Sequence, residues 1–123
     1  MVSKHHCLMN SGRKYGLLET DIERIISIFK SNPKIDTVIL FGSRAIGNFK
    51  PGSDIDIALK GIDIKLKDIL NSNSELDKLS TTYKFDLIIY NRITESALID
   101  HIERVGVLLF DRKNSVTQSS ILH

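Results

Sequence analysis

Leu40 to Ala58 reads LFGSRAIGNFKPGSDIDIA, and two of its residues do not suit their surroundings. Asp54 and Asp56 lie in an otherwise apolar strand, downstream of a Gly-Ser turn. Side chains at i and i+2 of a strand project from the same face. Their α-carbons would stand about 7 Å apart, close enough for the carboxylates to converge. Like charges so placed repel, and burial penalises each further. A divalent cation removes the conflict. Mg²⁺ is commonly held by one or two carboxylates together with substrate phosphates. Two such ions about 3.5–4 Å apart make a two-metal site for phosphoryl transfer. Ile55 and Ile57 point to the opposite face and are expected in the core.

The sequence around this stretch alternates between helix and strand. Ile22, Ile25, Ile26 and Phe29 follow a helical period, with Thr20 as the expected N-cap and Asn32-Pro33 as the stop. Thr37–Phe41, TVILF, is a β-branched run that predicts a buried strand. A short helical turn is expected from Arg44 to Gly47, then a turn at Pro51-Gly52, then a strand over Ile55–Leu59. Leu66, Ile69, Leu70, Leu76 and Leu79 predict a helix, interrupted in composition by Asn71–Ser74. Lys84–Tyr90, KFDLIIY, reads as a third strand. Thr94 is the expected cap of a helix carrying Ala97, Leu98, Ile102 and Val105, and Val107–Phe110 is a last short strand. The fold class is therefore α/β (α+β), a small mixed sheet with helices mainly on one face.

Asp86, inside KFDLIIY, is the third acid of interest. If its strand pairs with the Asp54–Asp56 strand, its carboxylate faces the same site, ligates metal and accepts a proton from an attacking hydroxyl. The plainer alternative is a strand-edge charge paired with Lys84 or with a helix. Gly42-Ser43 supplies a phosphate end. Glycine lets backbone approach a phosphate closely, the start of a helical turn offers N–H groups, and the Ser43 hydroxyl adds a donor. Ten residues separate Ser43 from Asp54, which allows the turn and the acid pair to sit side by side on adjacent strands.

The combination G-S-x10-D-x-D, here Gly42-Ser43 followed by Asp54-Ile55-Asp56, with the later strand acid Asp86, resembles the polymerase-β-type nucleotidyltransferase superfamily. The wording GSRAIG…SDIDIA and the short length are similar to its minimal nucleotidyltransferase (MNT) branch. The resemblance spans Leu17 to Asp111, and it implies a polymerase-β-like core. It also implies Mg²⁺ on Asp54, Asp56 and Asp86, and the nucleoside triphosphate on Gly42, Ser43 and Arg44. The reaction implied is transfer of AMP from ATP to a hydroxyl, with release of pyrophosphate. MNT proteins resemble the antitoxin of a pair whose toxin is a helical HEPN-type protein, and the implied acceptor is a tyrosine of that partner. One departure stands out. Family members often read G-S-R-A-R-G, and here Ile46 replaces the second arginine. Arg44 and Lys50 are the candidates to take over its phosphate contact.

Composition bounds these expectations. The chain has 123 residues, 41% hydrophobic and 26% charged, which suits one globular domain. The domain is expected over residues 17–112, with 1–16 and 113–123 as tails. The net charge is +2, and Lys4, Arg13 and Lys14 precede residue 17 with no acid among them; without those three, 14 bases face 15 acids. No clustered basic face is legible, which argues against a long nucleic acid as partner. The single cysteine, Cys7, has no intramolecular disulfide partner, and His5-His6 reads as tail rather than metal site. No stretch reaches the ~20 apolar residues of a membrane span and no signal peptide is legible, so the expected location is cytoplasmic. His101, between polar neighbours, is expected on the surface, Asp111-Arg112 as a local ion pair, and Tyr83 and Tyr90 in packing.

Two further functions fit the same residues. A binding subunit with silent acids could neutralise its partner by covering it. A small-molecule nucleotidyltransferase would use the same head, although such enzymes usually carry an added acceptor domain. A DxD glycosyltransferase needs a larger nucleotide-sugar domain.

Overall fold

The computed structural model describes residues 13–79 and 82–113. Cys7, His5, His6 and most of the two expected tails lie outside them. A two-stranded ribbon comes first, β1 (Arg13–Lys14) against β2 (Leu17–Leu18). Its turn residues Tyr15 and Gly16 both have positive φ, 58° and 77°, as a two-residue type I′ connection requires. Four residues expected in the N-terminal tail are thus ordered into a hairpin.

Helix α1 (Glu19–Lys30) follows directly. Thr20 does not cap it. The helix starts two residues earlier than that cap would set it, Leu18 occupies the N-cap position without a side-chain bond, and Glu19 and Asp21 place acids in the first turn. Those charges complement the positive end of the helix dipole in place of a capping hydroxyl. Ile22, Ile25 and Phe29 form its buried stripe.

The principal sheet has strand order β5-β4-β3-β6. Strand β3 (Ile35–Phe41) is antiparallel to both β4 (Ile55–Gly61) and β6 (Val107–Asp111). Strand β5 (Phe85–Ile89) lies on the outer side of β4 and parallel to it. The crossover between those two strands carries α3 (Leu66–Leu79), as a parallel pair requires. Asn71–Ser74 stays helical, with Ser72 buried, because the surrounding Leu and Ile positions anchor both halves of the helix. Between β3 and β4 sits a single helical turn, α2 (Ser43–Ile46). After β5 a 3-10 turn (Tyr90–Arg92) leads to α4 (Ser96–Val105). Its N-cap position is Glu95, without a side-chain bond, so Thr94 is not the cap either.

Alternation along the strands divides the core in two. Val38, Leu40, Ile55, Ile57 and Leu59 pack with Ile22, Ile25 and Phe29 of α1 and with Ile69 and Leu76 of α3. Ile39, Phe41 and Ala58 pack on the opposite face with Ile102 and Leu98 of α4. Two of the three longer helices cover one face, as expected, and α4 alone covers the other. The end of β6 is tied down by Arg112, which donates to the carbonyls of Ile35 at 2.9 Å, Lys30 at 3.1 Å and Asn32 at 3.2 Å. Asp111 accepts the Lys113 amide at 3.1 Å. Among the described residues, no helix is long and apolar enough to cross a membrane.

Candidate active site

Register decides the site. In the parallel pair β4–β5, Asp56 is the partner of Asp86; in the antiparallel pair β3–β4, Asp56 is the partner of Phe41. Asp54, two residues before Asp56, shares its side of the chain. The three sequence-predicted acids therefore meet at one end of the sheet, on the face covered by α4. Asp54 and Asp86 are exposed and Asp56 is half-buried. None of the ion pairs among the described residues involves them, so the alternative of a strand-edge pair between Asp86 and Lys84 is not realised.

The three charges act on one another. Partial burial raises the Asp56 carboxyl above the ordinary aspartate value, and Asp86 and then Asp54 push it further in the same direction. His101, when it carries a proton, works the opposite way. A carboxylate raised by like neighbours is the electrostatic mark of a site suited to a cation.

Gly42 makes the approach possible. It directly follows Phe41, the register partner of Asp56, and adopts φ 76° and ψ −157°. A β-carbon there would stand 2.2 Å from Asp56 Oδ2. Only glycine both accepts this φ and leaves room for the carboxylate. Its carbonyl accepts the Ala45 and Ile46 amides, each at 3.1 Å, which starts α2. Gly47, with φ 99°, ends that turn. Gly42 thus lies beside Asp56, and Ser43 follows it as the first residue of α2.

Arg44 points elsewhere. It is 2% exposed, and its guanidinium donates to Ser53 O at 2.9 and 3.2 Å and to Tyr15 O at 2.9 Å. The rings of Phe49 and Tyr83 lie 5.2 and 5.6 Å from its central carbon. Its expected phosphate contact is replaced by a structural one. A buried guanidinium must have its donors satisfied, and two carbonyls and two ring faces do this inside the fold. Tyr83 is thereby in packing, as expected, and Tyr90 bonds Glu103. Ile46 is half-exposed on α2 and Lys50 is exposed.

His101 was missed by sequence reasoning. It lies on α4, yet its Nε2 accepts the Gly42 amide at 3.2 Å, and its ring meets Phe41 edge-on with centroids 6.2 Å apart. A contact across 59 residues leaves no mark in local sequence; the only hint was an imidazole on an otherwise apolar-faced helix.

The donor set suits a hard divalent ion, being all oxygen, acidic and, among the described residues, in no ion pair with lysine or arginine. Among the described residues no three His, Cys, Asp or Glu side chains stand ready grouped to hold a metal ion; Asp54 and Asp86 project into solvent and Asp56 is half-buried. Asp54, Asp56 and Asp86 are the oxygen donors that the fold gathers at this end of the sheet.

The family model for polymerase beta, nucleotidyltransferase, matches residues 23–115. The chain belongs to this family. It is a nucleotidyltransferase. A Methanocaldococcus jannaschii relative, provisionally named a protein adenylyltransferase, is 32% identical over 99 residues, covering 71% of this chain and 97% of the relative. Two solved structures share the nucleotidyltransferase fold. One is a toxin-antitoxin crystal structure with AMP-PNP, at TM-score 0.63 and 22% identity, covering 82% of this chain and 88% of that one. The other is a tri-AMPylated Shewanella oneidensis HEPN toxin in complex with its MNT antitoxin, at TM-score 0.60 and 20% identity, covering 81% and 77%.

Proposed function

We propose that this nucleotidyltransferase is a Mg²⁺-dependent adenylyltransferase that moves AMP from ATP to a hydroxyl. We further propose that the acceptor is a tyrosine of a HEPN-type partner, and that the chain is the antitoxin of that pair. The observation that carries the chemistry is the register partnership of Asp56 and Asp86 beside Gly42. The acceptor and the antitoxin role rest on likeness to the relative named a protein adenylyltransferase and to the MNT–HEPN complex.

The acceptor oxygen bonds to the α-phosphorus of ATP, the bond from that phosphorus to the bridging oxygen breaks, and pyrophosphate leaves. Asp86, exposed on the outer strand, takes the hydroxyl proton. Gly42 and Ser43 hold the triphosphate. Asp54, Asp56 and Asp86 would hold the Mg²⁺, which would stabilise the negative charge of the transferring phosphoryl group. The acids stand on an open surface rather than in a closed pocket, and this suits an acceptor presented by another macromolecule.

One observation favours a second role, neutralisation by occlusion. Arg44 is committed inside the fold and Ile46 stands where the family often has arginine, so α2 offers no guanidinium to the phosphates. One experiment separates the two: the protein is mixed with α-labelled ATP, Mg²⁺ and a candidate HEPN-type protein, and covalent label and pyrophosphate are measured. Asp54→Ala with Asp56→Ala is expected to cut label by about a thousandfold. Neutralisation that persists unchanged in the double variant supports occlusion instead.

A further inference from the structure

We propose that His101 is a positioning residue of the aspartate site: its Nε2 clamps the Gly42 amide and holds the Gly-Ser turn against Asp56. The inference rests on the reading of that site as the nucleotidyl-transfer centre.

Gly42 is held from both sides. Its carbonyl is engaged by the Ala45 and Ile46 amides, and its N–H by His101. Between these anchors the residue keeps a left-handed φ that an L side chain adopts poorly. The Asp56 carboxylate lies against its α-carbon. Were the N–H released, the turn would keep only its carbonyl anchor on the α2 amides while the Gly42 α-carbon stays pressed against Asp56. His101 thus serves the site by satisfying the amide with a neutral nitrogen.

The imidazole is itself prepared for the task. An accepting Nε2 must carry a lone pair, which leaves the ring proton on Nδ1. The ring packs edge-on against Phe41. Its helix neighbours are engaged elsewhere, Asp100 by Arg104 at 2.9 Å and Glu103 by Tyr90 and Lys60. A histidine that merely filled space between α4 and the sheet would need none of this polarity.

The test combines spectroscopy with binding. In the wild-type protein, long-range ¹H–¹⁵N correlation is expected to show His101 with an unprotonated Nε2 and a protonated Nδ1; a protonated Nε2 overturns the inference. His101→Phe is expected to shift the Gly42 amide resonance and to weaken binding of Mg²⁺–AMP-PNP about tenfold by calorimetry. His101→Gln, whose side-chain oxygen can reach the same amide, is expected to restore affinity to within about threefold. Equal weakening by Phe and Gln, or none by Phe, overturns it. Should Phe fail to fold, Gln and the wild-type spectrum still decide. Failure of the wild type to bind Mg²⁺–AMP-PNP would sink the nucleotidyl-transfer reading, and the clamp would then stand or fall on the ring tautomer and the Gly42 resonance.

Discussion

Asp56 and Asp86 are register partners on parallel neighbouring strands, 30 residues apart in sequence and facing the same side of the sheet. Their mutual repulsion, added to the partial burial of Asp56, costs the folded protein stability. A group raised in the folded state favours folding as pH falls through its elevated value and opposes folding above it. Asp56→Asn removes that cost. The variant is expected to be modestly more stable than wild type at neutral pH, because solvent screens a half-buried charge, while losing nucleotidyl transfer. Urea unfolding at pH 7 in chelator measures the first, and a lower unfolding midpoint than wild type would count against the picture.

Mg²⁺ should reverse the ranking. A ligand that binds only the native state stabilises it by about 2.7 kcal/mol at a hundredfold excess over Kd. Wild type is therefore expected to gain thermal stability from Mg²⁺ with AMP-PNP, whereas Asp54→Asn with Asp56→Asn gains none. Differential scanning calorimetry with and without EDTA reads this out.

Gly42→Ala places a methyl group 2.2 Å from Asp56 Oδ2, at a positive φ. The left-handed backbone alone costs about 1–2 kcal/mol, and the carboxylate must also move. Loss of transfer activity is expected along with that destabilisation. Gly52→Ala, where a β-carbon meets nothing within 4 Å, is the control and should leave activity intact.

Arg44→Met should destabilise without reporting on phosphate. The change strands the carbonyls of Ser53 and Tyr15 and loses two ring contacts. Leaving buried polar groups unpaired costs about 1–3 kcal/mol each. Urea denaturation measures the loss. A normal unfolding midpoint accompanied by weakened AMP-PNP binding would show that Arg44 serves the phosphates after all.

Asp68 gives the fold a defined acid limit. The Lys65 amide at 2.8 Å, then the Asn32 amide at 3.1 Å and Lys34 Nζ at 3.2 Å, hold its carboxyl down at about 2. A lowered acid contributes stability that is complete above the ordinary aspartate value, here 3.8, and is lost as pH falls toward 2. In Asp68→Asn the fall in stability between pH 4 and pH 2 should be shallower than in wild type. Identical acid unfolding curves would remove Asp68 from this role.

The elements most legible in sequence were those with strong periodic patterns. The TVILF and KFDLIIY runs form β3 and β5, and the Leu66–Leu79 spacing yields α3 despite its Asn-Ser interruption. Element starts were read less well. Thr20 and Thr94 are good caps by type, but α1 begins straight from the hairpin and α4 from the turn after β5, so chain direction was set by packing rather than by a hydroxyl. Arg44 misled for a related reason: its neighbours in sequence suggested phosphate, while its neighbours in space are two carbonyls and two aromatic rings.

By itself the sequence determined the alternation of elements, the side of the strand on which Asp54 and Asp56 lie, and the glycine beside them. These follow from local rules, namely period, residue type and allowed φ. Only the tertiary structure decided that β5 runs parallel to β4 with Asp86 opposite Asp56, that Arg44 is internal, and that His101 reaches Gly42 from α4. Those facts depend on strand order and register between segments distant in the chain, where long-range packing chooses among arrangements that local sequence leaves equally open.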